Sequence, residues 1–339
     1  MSTVREIRLK SRPLGVPTPD NFELVSTSLH APREGEVLVR NLWMSVDPYM
    51  RGRMDEGPSY IAPFELNQAL EGTAVGKVIE SNDPNMQPDD YVKSFFGGKE
   101  AFVAKASEVE KLNPVLPLTV APLETYLTVL GAPGLTGYIG LFCIAALKPG
   151  ERVFISGATG AVGSTACVLA KAIGCYVVGT AGSEEKRLWL ERELGVDAGI
   201  NYRAPHLESA VAKAFPTGID VYFENAGGDQ LRVALDNMRT FGRIAFSGSI
   251  SQYNNTTAPS NNANLHNIVT RKLRAEGFIV TDHLGQFENF HRIAADLIHA
   301  GKLKWHHTVF EGISAVPQAF VDLCSGKTFG KSLVRLSSE

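Results

Sequence analysis

The sequence predicts an α/β protein in which a doubly wound parallel sheet is joined to a β-rich, barrel-like domain. Three observations carry that prediction. At 339 residues the chain is too long for one small core, so two domains are expected. Its first part holds short β-like runs broken by Pro and Gly, whereas from Tyr126 apolar runs alternate with helix-length amphipathic segments. A glycine-rich turn separates one of those apolar runs from the helix after it.

The early β-like runs are Glu36–Arg40, Gly72–Ile79 and Glu100–Ala104, and their spacing suits a strongly bent sheet. Beyond Tyr126, strands are expected near Arg152–Ser156, Tyr176–Thr180, Gly199–Asn201, Asp220–Glu224, Arg243–Ser247 and Ala275–Val280. Helices are expected between them, near Gly160–Ile173, Ser183–Glu193, Leu207–Ala214, Gln230–Met238 and Asn264–Arg271. The Asn/Thr/Ser-rich stretch Ser251–Asn264 reads as a loop. After Gly301 the chain returns to short strand-like pieces ending in Gly330–Arg335, so the tail is expected to pack back on the first domain.

Composition narrows the function classes. Hydrophobic residues make up 44% and charged residues 20%, as in ordinary soluble proteins. A formal net charge of -3 gives no electrostatic reason to expect nucleic acid or an anionic membrane as partner. The N-terminal segment is polar and charged, and no apolar run approaches the roughly 20 residues that span a bilayer. None of the four cysteines forms a CxxC pair, and three lie in strongly apolar stretches. Buried, reduced thiols in a cytoplasmic protein are expected.

The turn Gly157-Ala158-Thr159-Gly160-Ala161-Val162-Gly163 directly follows the first strand of the alternating region. A strand, a glycine-rich turn and a helix N-terminus in that order form an anion site. Helix amides and the helix dipole face a pyrophosphate, while glycines allow close backbone approach. Gly157, Thr159, Gly160, Ala161, Val162 and Gly163 are therefore candidate cofactor contacts. Sites for NAD usually place an acid about 20 residues downstream, against the ribose 2′-OH. Here the second strand runs into Gly182 and Ser183 with no acid, and a cation follows at Lys186. Tyr202 and Arg203, after the third strand, can approach the same group. The pattern favours NADPH.

Zinc requires His, Cys or carboxylate ligands converging from several segments. The first domain has one histidine, His30, and no cysteine. His306 and His307 are adjacent, and neighbours on a strand point to opposite faces. No metal site is expected.

At this point the chain resembles the medium-chain dehydrogenase/reductase superfamily, specifically its zinc-free branch. That branch holds leukotriene 12-hydroxydehydrogenases, prostaglandin reductases, 2-alkenal double-bond reductases and curcumin reductases. The resemblance covers essentially the whole chain and rests on seven ordered blocks: Ser45–Arg51, Pro63–Leu66, Gly134–Tyr138, Ser156–Gly163, Ala181–Lys186, Phe223–Gly228 and Ile250–Asn254. Glu71-Gly72-Thr73 stands where the zinc alcohol dehydrogenases carry Gly-His-Glu.

The resemblance implies a GroES-like catalytic domain over residues 1–125, joined by 302–339, and a Rossmann domain over 126–301. It also implies NADPH, α,β-unsaturated carbonyl substrates and a homodimer. By matching position, Gly160 and Val162 lie against the pyrophosphate, and Lys186 and Tyr202 hold the 2′-phosphate. Asn225 and Ser249 approach the cofactor from the fourth and fifth strands, and Tyr253 lies on the substrate or nicotinamide-ribose side. Thr328 stands where the family commonly has an asparagine that helps hold the nicotinamide. A hydroxyl replaces one of that amide's hydrogen bonds but not its paired donor and acceptor.

Enone reduction without metal needs hydrogen-bond donors for the developing enolate oxygen and a proton for the α-carbon. Tyr253 is the first candidate donor, with Tyr60 and Tyr49 in first-domain loops as the others. Asp47 and Arg51 beside Tyr49 read as a structural anchor. A loop with Tyr60, Pro63 and Phe64 is placed to close over an apolar substrate. Three alternatives stand beside this reading: an NADPH:quinone reductase, a secondary-alcohol dehydrogenase and a non-catalytic NADPH-binding protein.

Overall fold

The computed structural model describes residues 2–256 and 264–338. The chain divides into two compact units, residues 1–127 with 307–339, and residues 128–306.

In the first unit, β1 (Ser2–Leu9) and β2 (Phe22–Leu29) pair antiparallel along their full length. The strands β3 (Glu36–Val46), β4 (Ala74–Ser81), β5 (Tyr91–Ser94), β6 (Ala101–Lys105) and β7 (Glu110–Lys111) follow, with the short helix α1 (Tyr49–Arg53) after β3. β3 is the spine of this sheet. One edge pairs with β4, while the other is shared by β6 at Glu36–Arg40 and a late strand at Trp43–Val46. Register shifts after Leu38 and Asn41 bend it, which is how one strand serves three partners. Alternation buries Val37 and Val39 on one face.

The second unit opens with α2 (Ala132–Tyr138) and proceeds by strand–helix alternation. The elements are β8 (Arg152–Ile155), α3 (Ala161–Ala172), β9 (Tyr176–Ala181), α4 (Glu184–Glu193), β10 (Ala198–Asn201), α5 (Leu207–Ala214), β11 (Ile219–Glu224), α6 (Gly228–Asn237), β12 (Met238–Phe246), α7 (His266–Thr270), β13 (Arg274–Gly277) and α8 (Phe287–His299). The strands form one parallel sheet in the order β10-β9-β8-β11-β12-β13. Strand order reverses between β8 and β11, so the crevice at their carboxyl ends is where a ligand of such a sheet sits. Phe154 stacks on Tyr222 at 5.2 Å beneath that point, a contact worth about 0.5–1.5 kcal/mol beyond its burial.

The chain then returns to the first unit with β14 (His307–Glu311), α9 (Val316–Cys324) and β15 (Lys331–Arg335). β15 lies between β14 and β3.

Four expectations need correction. The tail is not only strands, because Val316, Ala319 and Phe320 line one buried face of α9, and a proline in its first turn starts the helix. α8 adds a helix to the expected set, its Phe290, Ala294, Leu297 and Ile298 forming a buried helical stripe. The strand expected to reach Val280 stops at Gly277 and gives way to a 3₁₀ segment over Val280–Gln286. Cys143 is exposed, because its helical turn buries Ile139, Leu141 and Ile144 instead. Of the other thiols Cys167 and Cys175 are buried and Cys324 is half-buried. Of the expected loop Ser251–Asn264, residues 257–263 lie outside the described residues.

Candidate functional site

The turn after β8 is set by its glycines. Gly157 has φ +59, in the left-handed region, and lets the chain reverse so that the Gly160 amide donates to the Gly157 carbonyl at 3.0 Å. A Cβ on Gly163 would stand 2.4 Å from the Gly157 carbonyl oxygen and 2.7 Å from Ala158 Cα, so only glycine lets α3 pack on the turn. Gly160 precedes α3 in extended conformation, and no side chain caps the helix. The first-turn amides of Ala161, Val162 and Gly163 are therefore left for an anion. Thr159, in the same turn, is buried.

Two buried hydroxyls hold the turn to the sheet. Thr180 Oγ1 accepts from the Gly157 amide at 3.1 Å and donates to Gln230 Oε1. Ser156 Oγ donates to Glu224 Oε1 at 2.8 Å and accepts from the Asn225 amide at 2.8 Å. The Asn225 side-chain amide donates to the Ser156 carbonyl at 2.8 Å. Glu224 Oε2 also accepts from the Tyr222 hydroxyl at 2.8 Å. Burial raises the Glu224 pKa, partly offset by these donors. The network ties the ends of β8 and β11 across the point where strand order reverses. Ser156, Thr180 and Glu224 did not emerge as site residues from the sequence, where the only available signal was a polar residue at the end of each apolar strand run.

At the end of β9, Ser183 caps α4 by accepting the Lys186 amide at 3.3 Å. Gly182 lies under the Tyr202 ring, and a Cβ there would stand 3.1 Å from the hydroxyl. Lys186 is half-buried, and its pKa is lowered first by burial and then by the Arg203 charge. The Arg203 guanidinium lies 5.8 Å from the Tyr202 ring centre. Two cations and a tyrosine thus gather beside a backbone with no acid at its end, which fits a 2′-phosphate rather than a bare ribose hydroxyl.

Ser249 and Tyr253 share the turn after β12. The Tyr253 hydroxyl accepts the Ser249 amide at 3.2 Å and lies over Gly248, 2.9 Å from where a Cβ would be. The Ile250 and Ser251 amides donate to the carbonyls of Asn225 and Ala226, joining this turn to the loop after β11.

Tyr49, Tyr60 and Thr328 belong to the first unit. Tyr49 opens α1 and is half-buried, and burial followed by the Asp47 charge raises its pKa far above the usual range. Tyr60 and Glu71 add smaller upward pushes by their charges, so both stand within electrostatic reach of the Tyr49 hydroxyl. Tyr60 is 61% exposed. Asp47 and Arg51 are anchors, as expected from sequence. Asp47 accepts from Ser45 and from the buried Lys331 ammonium at 2.7 Å, and Arg51 holds the Gly15 carbonyl and Asp55. Thr328 lies in the turn between α9 and β15.

A family model described as the N-terminal domain of oxidoreductase matches residues 5–112, and one described as zinc-binding dehydrogenase matches residues 161–299. The chain is 36% identical over 338 residues to the NADPH-dependent curcumin reductase of Escherichia coli (strain K12), covering 98% of this chain and 96% of that protein. It is 38% identical over 342 residues to the NADP(+)-dependent 2-alkenal reductase of Nicotiana tabacum, covering 99% and 98%. The crystal structure of CurA from Vibrio vulnificus in complex with NADPH superposes with a TM-score of 0.93 at 33% identity, covering 99% of this chain and 100% of that one.

Fold and kinship together define an oxidoreductase. The chain belongs to the medium-chain dehydrogenase/reductase family, in the branch of the curcumin, 2-alkenal and prostaglandin reductases. Despite the wording of the second family model, the donors for a zinc ion are not assembled. Glu71 is bound by Arg53, His30 contacts Glu36 at 3.7 Å, and no three His, Cys, Asp or Glu converge among the described residues.

Proposed function

We propose that this protein uses NADPH to reduce the carbon–carbon double bond of α,β-unsaturated aldehydes and ketones. The observation that carries the reading is full-length kinship with an NADPH-dependent curcumin reductase and a 2-alkenal reductase. The lack of an acid at the end of β9, with Lys186, Tyr202 and Arg203 beside it, supports the choice of NADPH over NADH.

In this reading Gly157, Thr159, Gly160, Ala161, Val162 and Gly163 take the pyrophosphate. Gly182, Ser183, Lys186 and Tyr202 take the adenosine 2′-phosphate, and Asn225, Ser249 and Thr328 serve the nicotinamide side. Bound NADPH supplies the hydride that adds to the β-carbon, and negative charge develops on the carbonyl oxygen. Tyr253, whose hydroxyl already accepts from Ser249, keeps its own O–H to donate to that oxygen. Tyr49 and Tyr60 are further donors, and a hydroxyl or a water delivers the α-carbon proton.

A cytoplasmic homodimer completes the reading. No helix among the described residues is long and apolar enough to cross a membrane. Among the described residues exposed β13 ends the parallel sheet, an edge suited to pairing with a second copy.

The test is NADPH consumption with a simple enone, a 2-alkenal and a quinone, repeated with NADH and with a chelator. The reading expects enone- and alkenal-dependent turnover that prefers NADPH and ignores the chelator. Turnover on the quinone alone moves the protein to the quinone reductases, and binding without turnover makes it a cofactor-binding protein.

A further inference from the structure

The segment Met54–Pro63 leaves α1 and carries Tyr60 at its exposed tip. Its two ends are closed onto one residue. The Phe64 amide donates to the Arg53 carbonyl at 2.7 Å, and Arg53 Nε donates to the Ala62 carbonyl at 2.7 Å. The same guanidinium lies over the Phe64 ring at 4.2 Å and near Phe95 at 5.6 Å, and its Nη2 donates to Glu71.

Arg53 is buried, at 4% exposure, and its buried Nη1 has no hydrogen-bond partner among the described residues. Its counter-ion Glu71 is 55% exposed and is therefore screened by solvent. The pair is unequal: a buried cation faces a partly solvated anion, and some of the cation's field remains unneutralised inside the unit. Arg53 lies four residues after Tyr49 on α1, the spacing that puts two side chains on one helix face. Among the groups that act on the Tyr49 hydroxyl, Arg53 is the one that favours release of its proton.

We propose that Arg53, held by Glu71, is a positioning residue that clamps the Tyr60 loop and fixes the Tyr49 and Tyr60 hydroxyls for the carbonyl oxygen of the substrate. The inference rests on the enone-reductase reading above and deepens it. No role follows for Arg53 in touching substrate. It acts through the two tyrosines, and it supplies a fixed positive charge beside Glu71, the residue that stands where zinc relatives carry their Gly-His-Glu motif.

The test combines steady-state kinetics with a 2-alkenal, NADPH affinity and the rate of chymotrypsin cleavage after Tyr60, in the full-length protein. Arg53→Gln is expected to lower kcat about tenfold, with KM for the alkenal and NADPH affinity within about twofold of wild type. Adding Arg53→Gln to a Tyr49→Phe/Tyr60→Phe variant should slow it no further, because Arg53 acts through those two hydroxyls. Cleavage after Tyr60 should be several-fold faster in Arg53→Gln. Additive kinetic losses with a wild-type cleavage rate would overturn the proposal. If Arg53→Gln does not fold, Glu71→Gln at its more exposed position decides: a roughly threefold fall in kcat with faster cleavage supports the clamp, and wild-type values for both overturn it. A wild-type protein inert toward every enone would sink the reductase reading instead, and the cleavage comparison would still decide whether Arg53 holds the loop.

Discussion

Within the second unit, the turn from Gly157 to Gly163 takes its shape from a contiguous stretch of sequence, and its longer-range ties come from the neighbouring strand β9 at Thr180 and, through Ser156 just before the turn, from Asn225 at the end of β11. In the first unit, the tyrosine-bearing segment from Asp47 to Phe64 has no comparable local motif. It depends on Lys331, 284 residues from Asp47, on Gly15 and on Glu71. One region is built from backbone geometry that only glycine permits, the other from buried charges that must find each other across the chain. The difference separates two kinds of fragility. Damage to the turn should show first in cofactor binding, and damage to the buried Asp47–Lys331 anchor should show first in folding.

The largest expected effect tests the second half of that statement. Lys331→Met removes the cation that holds Asp47 and the Val46 carbonyl, leaving a mostly buried carboxylate short of a partner. Breaking such a pair from one side costs about 3–5 kcal/mol. Chemical denaturation should report most of that loss, with NADPH affinity of the folded fraction close to wild type. A variant as stable as the parent would mean the anchor is dispensable and the contrast between regions is wrong.

Gly163→Val probes the turn itself. The added Cβ meets the Gly157 carbonyl oxygen, which belongs to backbone and cannot swing away. Overpacking of this kind costs about 1–3 kcal/mol. Because the displaced atoms form the anion site, a fluorescence titration should show NADPH binding lost at cofactor concentrations that saturate wild type. Retained affinity would show that the turn relaxes more easily than its geometry implies.

Why one region was legible in the sequence and the other was not follows from the same contrast. Gly157, Gly160 and Gly163 sit at fixed spacing between an apolar run and a helix, so strand, turn and anion site could be read together. The missing acid after β9 was equally readable, because its position is counted from that turn. Arg53 and Glu71 carry no such signature, since nothing local in the sequence says which carboxylate a buried arginine will meet. Likewise Glu224, one residue before the expected cofactor contact Asn225, was visible only as part of a strand. Its role in tying Ser156 to the next loop depends on β8 and β11 being neighbours. The helical stripe of α8 is legible in the sequence at Phe290, Ala294, Leu297 and Ile298, whereas the exposure of Cys143 depends on which face of its helical turn is covered.

Lys186→Ala should have a smaller and more selective effect. The lysine contributes a charge-assisted contact to a phosphate in the proposed site, of the order of 1.5–3 kcal/mol. NADPH affinity should fall about tenfold to a hundredfold, while NADH affinity stays within about twofold, since the 2′-phosphate is the only difference between the two ligands. Equal losses for both dinucleotides would remove Lys186 from the phosphate site. Tyr253→Phe comes next, with turnover about tenfold slower and NADPH affinity little changed, because only the hydroxyl is lost and the turn stays tied to the loop after β11 by the Ile250 and Ser251 amides. Unaltered turnover would take Tyr253 out of the chemistry and leave the first-unit tyrosines to supply the donor.

The smallest effect is expected at the outer edge of the Tyr60 segment, where Arg12 pairs with Glu56 at 3.0 Å. Glu56 is 81% exposed, and an ion pair in that setting contributes no more than about 1 kcal/mol. Arg12 keeps its bonds to the Met54 and Phe64 carbonyls when the carboxylate is gone, so the base of the loop stays closed. Glu56→Ala should therefore leave melting temperature, NADPH affinity and alkenal turnover near wild type, and high salt should have as little effect on the parent. A Glu56→Ala variant that lost activity as Arg53→Gln is expected to would place the clamp at the surface of the loop rather than at its buried base, and the unequal Arg53–Glu71 pair would no longer account for it.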